Sequence, residues 1–447
     1  MRRGRVPGVL SGLAAGLAVL FAATLGAAAP AHEGVASCSG STCHGRPAPS
    51  GITVRQNELI TWQAPGDAGA HSRAWRVLAQ PRAKAIADKL GLGPATRAKE
   101  CLGCHADPAG ERGARFQVSD GVGCEACHGG SAGWLASHYA VGATHAANVA
   151  HGMSDLTNPK ARAAVCLDCH YGGAKPGQFV THEIMAAGHP RIGFELDLFT
   201  SLQRHYDIDA DYLKRKTWPS AVKVWAVGQA MAVDRALTLY GSPAHNPAGA
   251  FPEFYFFDCQ SCHRTISDDP KFRPAALPNP GRPIPVGQPP FNDENMIMLS
   301  AAAKAAAPQL AARFEADSRA FHSALVKDRA GAIRAAGQLA ATSRQLADAF
   351  AARPFSRGET LAIYEGLFTG EGANRLTDYA GAAQAVMAAD TLLGALVAEG
   401  GLDRAAAARA RPDLDRAYAA VRDPNAFKPA AVRAALQAAA DKVRGGR

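Results

Sequence analysis

Cys124-Glu125-Ala126-Cys127-His128, set in the longer run from Ser119 to Gly129, decides how this chain is read. Two thiols three positions apart are followed at once by an imidazole, and the pattern recurs. Cys101-Leu102-Gly103-Cys104-His105, Cys166-Leu167-Asp168-Cys169-His170 and Cys259-Gln260-Ser261-Cys262-His263 repeat its spacing. Cys38 and Cys43 enclose four residues before His44. These pairs use all 10 cysteines of the 447-residue chain, so none is left over.

Exported cysteines ordinarily pair as disulfides, but a disulfide framework gives no reason for a histidine after every second cysteine. Structural zinc needs four ligands, so the pairs would have to combine in twos; five pairs leave one over and the histidines unexplained. A redox dithiol would be expected once, in a βαβ setting. Haem c accounts for all three residues. The thiols add to the two porphyrin vinyl groups, and the next imidazole is placed under the iron. Five covalent haem c groups are expected, on Cys38 and Cys43, Cys101 and Cys104, Cys124 and Cys127, Cys166 and Cys169, and Cys259 and Cys262. The proximal iron ligands are then His44, His105, His128, His170 and His263.

Residues 1–31 fit this chemistry, because haem c is attached outside the cytoplasmic membrane. Arg2, Arg3 and Arg5 precede an apolar run, and Ala29-Pro30-Ala31 offers a small-residue cleavage site. This reads as a secretory signal, with the mature protein periplasmic and membrane contact expected only if the segment stays uncleaved.

Of the 15 histidines, ten lie outside the motifs, and His322 is the only one of them beyond residue 245. There are enough imidazoles for a second histidine on every iron, a ligand set that holds the potential lower than methionine would. His182 and His189 are seven apart; on a helix they would project from one face about 10 Å apart and could serve two haems. Pro190 places the second at a helix end. His138 and His145 repeat the offset after Trp134, although Gly142 weakens helix between them. His71 opens an amphipathic stretch ending at Gly91. The five distal candidates are therefore His71, His138, His145, His182 and His189, with His151, His205 and His245 in reserve. His322, beside Phe321 in a segment with no haem motif, reads as a core residue, and Met153 and Met185 as packing.

These motifs, with Ser119–Gly129 and the run Val180-Thr181-His182-Glu183-Ile184-Met185-Ala186-Ala187-Gly188-His189-Pro190-Arg191, resemble the multihaem c-type cytochromes of the cytochrome c-554 type over roughly Cys38 to His263. The resemblance implies a mostly helical, loop-rich protein whose haems stack in close pairs and carry electrons. Typical members carry four haems, whereas five motifs stand here.

The fold class expected is mostly α: a loop-rich multihaem cytochrome c domain over 32–267, a proline-rich linker over 268–290 and an alanine-rich helical bundle over 291–447. The motifs at Cys101 and Cys124 are expected to hold adjacent haems. Residues 218–240 read as a buried helix bridging the fourth and fifth motifs. In the last segment Leu310, Phe314, Phe321 and Leu325 form one helical stripe and Leu339, Leu346 and Phe350 another, and glycines divide it into about six helices. It would pack on the haem domain or form a homodimer surface.

The function expected is single-electron transfer between periplasmic partners: redox proteins or a quinol-oxidising membrane cytochrome as donor, and a periplasmic acceptor. The alternative is a haem oxidoreductase with one open iron, acting on a small nitrogen or sulfur compound. A net charge of +9 first suggests nucleic acid, but no motif for base readout, phosphate binding or nucleophilic catalysis accompanies it. Loss of three arginines and addition of five haems brings the balance to about +1 oxidised and about −4 reduced at standard ionisation. The basic residues then offset haem propionates.

Overall fold

The structure, a computed structural model, describes residues 30–48, 55–173, 175–208, 213–214, 218–245, 252–263, 267–271, 279–285 and 288–446. Apart from positions 30 and 31, the expected export signal lies outside the described residues, as does part of the 268–290 linker. The chain is mostly α. Among the described residues no strand forms, and only the isolated bridges His32–Arg112 and Phe257–Phe291 pair extended backbone.

Up to residue 208 the helices are short, the longest being Pro159–His170. Lys99–His105, Cys124–His128, Pro159–His170 and Cys259–Cys262 carry four motifs, and one helical turn puts residues i and i+3 on the same face, so both thiols point the same way. Cys38 to His44 is built instead from turns, as its longer spacing requires. The apolar clusters here are small: Leu78, Ala87 and Ala95 form one, and Ala163, Leu167, Tyr171, Phe194 and Leu196, with Val224 and Ala232, another.

Most of the hydrophobic core lies in the second half. Ala221–Gly241, capped by Ser220 Oγ, buries Val222, Trp225, Ala226, Val227 and Ala230 completely. It packs on the helices Glu294–Ala306, Arg329–Ala351 and Tyr379–Ala398, and also on Pro159–His170 and Leu196–Leu202. Gly228 permits the last contact, since a Cβ there would lie 2.6 Å from Leu196 Cβ. One helix thus belongs to the packing of both halves.

From residue 291 onward eight helices form, two more than the glycine punctuation suggests: the three long ones already placed, with Pro308–Leu325, Arg357–Phe368, the short Gly370–Asn374, Arg404–Ala420 and Pro429–Gly445. Phe314, Phe321, Leu339, Leu346 and Phe350 are fully buried, while Leu310 and Leu325 are partly buried. Alanine-rich faces let these helices approach closely. Tyr379–Ala398 is the one helix among the described residues long and apolar enough to cross a membrane, and 72% of its most apolar stretch is buried inside the bundle. That places it as a core helix.

Candidate haem-binding site

The fold gathers ten imidazoles into five pairs, and each pair contains one motif histidine. His44 faces His138 with ring centres 6.1 Å apart, His105 faces His189 at 6.3 Å, His128 faces His205 at 6.3 Å, His170 faces His71 at 6.4 Å and His263 faces His182 at 6.1 Å. An imidazole nitrogen sits about 2 Å from a metal and its ring centre about 1 Å further back, so two rings on opposite sides of one ion stand about 6 Å apart. Ordinary aromatic contacts span the same separations, so what sets these pairs apart is that each of the five contains one motif histidine. The residues present therefore fit five six-coordinate haem irons.

Local interactions turn the rings. His105 and His189 direct Nδ1 to the carbonyls of Ala74 (2.9 Å) and Pro190 (2.8 Å), and His205 directs its Nδ1 to that of Gln203 (3.4 Å). A ring that donates from Nδ1 keeps its Nε2 lone pair for a metal. His44 Nδ1 lies 3.0 Å from the Glu58 carboxylate, whose hydrogen bond raises the imidazole pKa. Asn148 Nδ2 lies 3.3 Å from His138 Nδ1. Burial pushes His170 down to about 4 and also lowers His71, His189 and His205. These rings are held neutral, the form that binds metal.

The helix His182–Ala187 explains how two close histidines reach different partners. Its start is anchored by Glu253, which accepts from His182 N at 2.7 Å, next to the fifth motif. Its end is held by Arg82 and Lys89, which donate to the carbonyls of Gly188 and Ala187 at 2.7 and 3.1 Å. Gly188, at φ +125°, then swings His189 away toward the second motif.

The motifs also contact one another. Glu125, buried inside the third motif, accepts hydrogen bonds from the backbone of Glu33 (2.8 Å), Gly34 (2.6 Å) and Ser131 (2.7 Å). This draws the chain entering the first motif onto the third, and the thiols of Cys38 and Cys124 interact. Cys104 Sγ lies 3.8 Å from Cys169 O and Cys169 Sγ 3.9 Å from Gly103 O. Gly103 makes that approach possible, since a Cβ would sit 2.4 Å from Gly177 C. Cys124–His128 and Lys99–His105 both pack on Pro159–His170. The first motif thus adjoins the third, the third the fourth and the fourth the second, while the segment from His182 to His189 carries the rings that face the fifth and the second. Asp107 N, just after the second motif, also donates to Gly121 O, just before the third, at 2.8 Å.

No disulfide joins any of the ten cysteines. Among the distal candidates, His71, His138, His182 and His189 each face a motif ring, and His145 does not. Its Nε2 lies 3.1 Å from Asp155 Oδ1 near the surface. Gly142, at φ +81°, breaks the helix between Leu135–His138 and His145–Ala150, so the two histidines do not share a face. His205, held in reserve by the sequence reading, takes the position opposite His128. It follows the helix Leu196–Leu202, and no local pattern marks it beyond the surplus of histidines. His245 stacks on Phe179 at 4.0 Å, and His32 Nδ1 lies 2.8 Å from Asp107. His322 is buried, with Nδ1 donating to Ser318 O at 2.8 Å.

Residues 37–129 match the family model described as cytochrome c554 and c-prime, a span holding the first three motifs and ending before the fourth and fifth. No curated protein and no solved structure matches the chain.

Proposed function

The chain carries a cytochrome c554-like domain, with covalent haem c and electron transfer as its chemistry, and on that premise we propose that it is a periplasmic pentahaem cytochrome passing single electrons between redox partners. One observation carries this reading: all five motif histidines face a second imidazole at 6.1–6.4 Å. Each iron would then have two protein ligands and no open position. Haem c, when bound, supplies an iron that gains and loses one electron.

The cysteines would tether the porphyrins, and His44, His105, His128, His170 and His263, paired with His138, His189, His205, His71 and His182 in that order, would hold the irons. Phe194 and Phe199 pack against His170 at 4.5 and 5.7 Å, and Trp134 against His138 at 5.5 Å, shielding these rings from water. The contacts between motifs, with the segment from His182 to His189 that faces both the second and the fifth, would make neighbouring haems a continuous path in the order first, third, fourth, second, fifth. The donor is a redox protein or a quinol-oxidising membrane cytochrome, and the acceptor is periplasmic.

An oxidoreductase acting on a small nitrogen or sulfur compound would need a motif histidine with no protein ring across from it. Mass spectrometry of the purified holoprotein counts the haems, and carbon monoxide added to the reduced protein reports open irons. Five haems and an unresponsive spectrum are expected. Four haems would remove Cys38 and Cys43 from the set, and ready carbon monoxide binding would favour the enzyme.

A further inference from the structure

Glu58 stands out among the groups behind the paired rings. It opens the helix Glu58–Trp62, and its carboxylate lies 3.0 Å from His44 Nδ1. The backbone is tied to the first motif around it. Leu59 N donates to His44 O at 2.9 Å, Gln56 Nε2 donates to Thr42 O at 3.0 Å, and Gln56 O accepts from Arg46 N at 2.8 Å. Gln56 holds φ at +56°, a conformation that a glutamine adopts only when its surroundings impose it. The carboxylate is therefore positioned by the same loop that carries the motif. His105 and His189 face neutral carbonyls at the corresponding nitrogen.

A carboxylate draws the Nδ1 proton toward itself, makes the imidazole a stronger donor and adds a negative charge behind the iron. Both effects favour the ferric form, which carries one more positive charge than the ferrous form. Resting on the pentahaem reading above, we propose that Glu58 makes the haem held by His44 and His138 the lowest in potential of the five. The haem of the first motif stands at one end of the path proposed above. Flow downhill in free energy then starts here. Glu58 acts through His44 and is a positioning residue. It also faces His205, so the haem of His128 is affected to a smaller degree.

The test is a spectroelectrochemical titration of the wild-type holoprotein, Glu58→Gln and Glu58→Asp, with haems counted by mass spectrometry in each. Groups hydrogen-bonded behind a metal-binding imidazole change metal affinity or activity by about 10–100-fold, and an effect of that order is expected on the reduction equilibrium. Because water reaches this one, the lower end is expected: in Glu58→Gln the lowest of five steps rises by about tenfold in its reduction equilibrium, about 59 mV for one electron. Glu58→Asp restores most of the difference, and the other steps move less. Five low-spin haems with no shift, or a shift in a step other than the lowest, overturn the role of Glu58. A haem count of four, with Cys38 and Cys43 unmodified, instead overturns the pentahaem reading and this one with it.

Discussion

On the pentahaem reading, replacing His205 by alanine removes the ring 6.3 Å from His128 and leaves one of five irons with a single protein ligand. The consequence is visible by electron paramagnetic resonance, because the angle between two axial rings governs how far the iron d orbitals split. Crossed rings leave two orbitals nearly degenerate and give strongly anisotropic low-spin signals; near-parallel rings separate them and give rhombic ones. The pairs at 73°, 85° and 88° are crossed, and those at 26° and 33° are near parallel. Three anisotropic and two rhombic signals are therefore expected from the oxidised wild type. In His205→Ala one anisotropic signal, a fifth of the spins, is replaced by a high-spin signal, and the reduced protein binds one carbon monoxide per chain. His145→Ala is the control. It breaks only a half-exposed link to Asp155 worth about 0–1 kcal/mol, and all five irons stay low-spin. A high-spin signal from His145→Ala, or a His205→Ala protein that remains wholly low-spin and inert to carbon monoxide, would refute the assignment.

Two further outcomes concern the helical half. His322 is pushed from 6.5 to about 3 by burial. The unfolded chain therefore binds the extra proton first as pH falls, and stability present above pH 6.5 drains at about 1.4 kcal/mol per pH unit down to about pH 3. His322→Phe should flatten this part of the slope in denaturant titrations of the holoprotein between pH 6.5 and 4, and an unchanged slope would count against it. Arg282 is buried between Asp293 (3.3 Å) and Asp378 (2.8 Å). Arg282→Met strands two buried carboxylates and should cost about 3–5 kcal/mol, read by denaturant midpoint.

The candidate attachment motifs are legible because their chemistry is local: two thiols and an imidazole close together in sequence need no knowledge of the fold. The helical stripes of the second half were legible for the same reason, since Phe314, Phe321, Leu339, Leu346 and Phe350 repeat at the period of the helix they occupy. Distal ligation is decided by tertiary contacts. His182 and His189 separate because Gly188 turns the chain, and Gly142 denies His145 the face that His138 uses. His205 reaches His128 from 77 residues away along the chain. Glu58 escaped notice because nothing near it in sequence marks a glutamate that folds back on a motif 14 residues earlier.

The 221–241 helix bears on how the molecule is assembled. It lies between the fourth and fifth motifs in the chain, yet its buried face is made of the same apolar side chains that hold the last eight helices together. The two halves are consequently not separable modules. A chain stopped within the proline-rich stretch would present Val222, Trp225, Val227 and Val233 to solvent, an invitation to aggregation. The helix cannot bury that face until the C-terminal segment is in place. The fifth haem site, between that helix and its packing partners in sequence, is then the last to acquire its final surroundings.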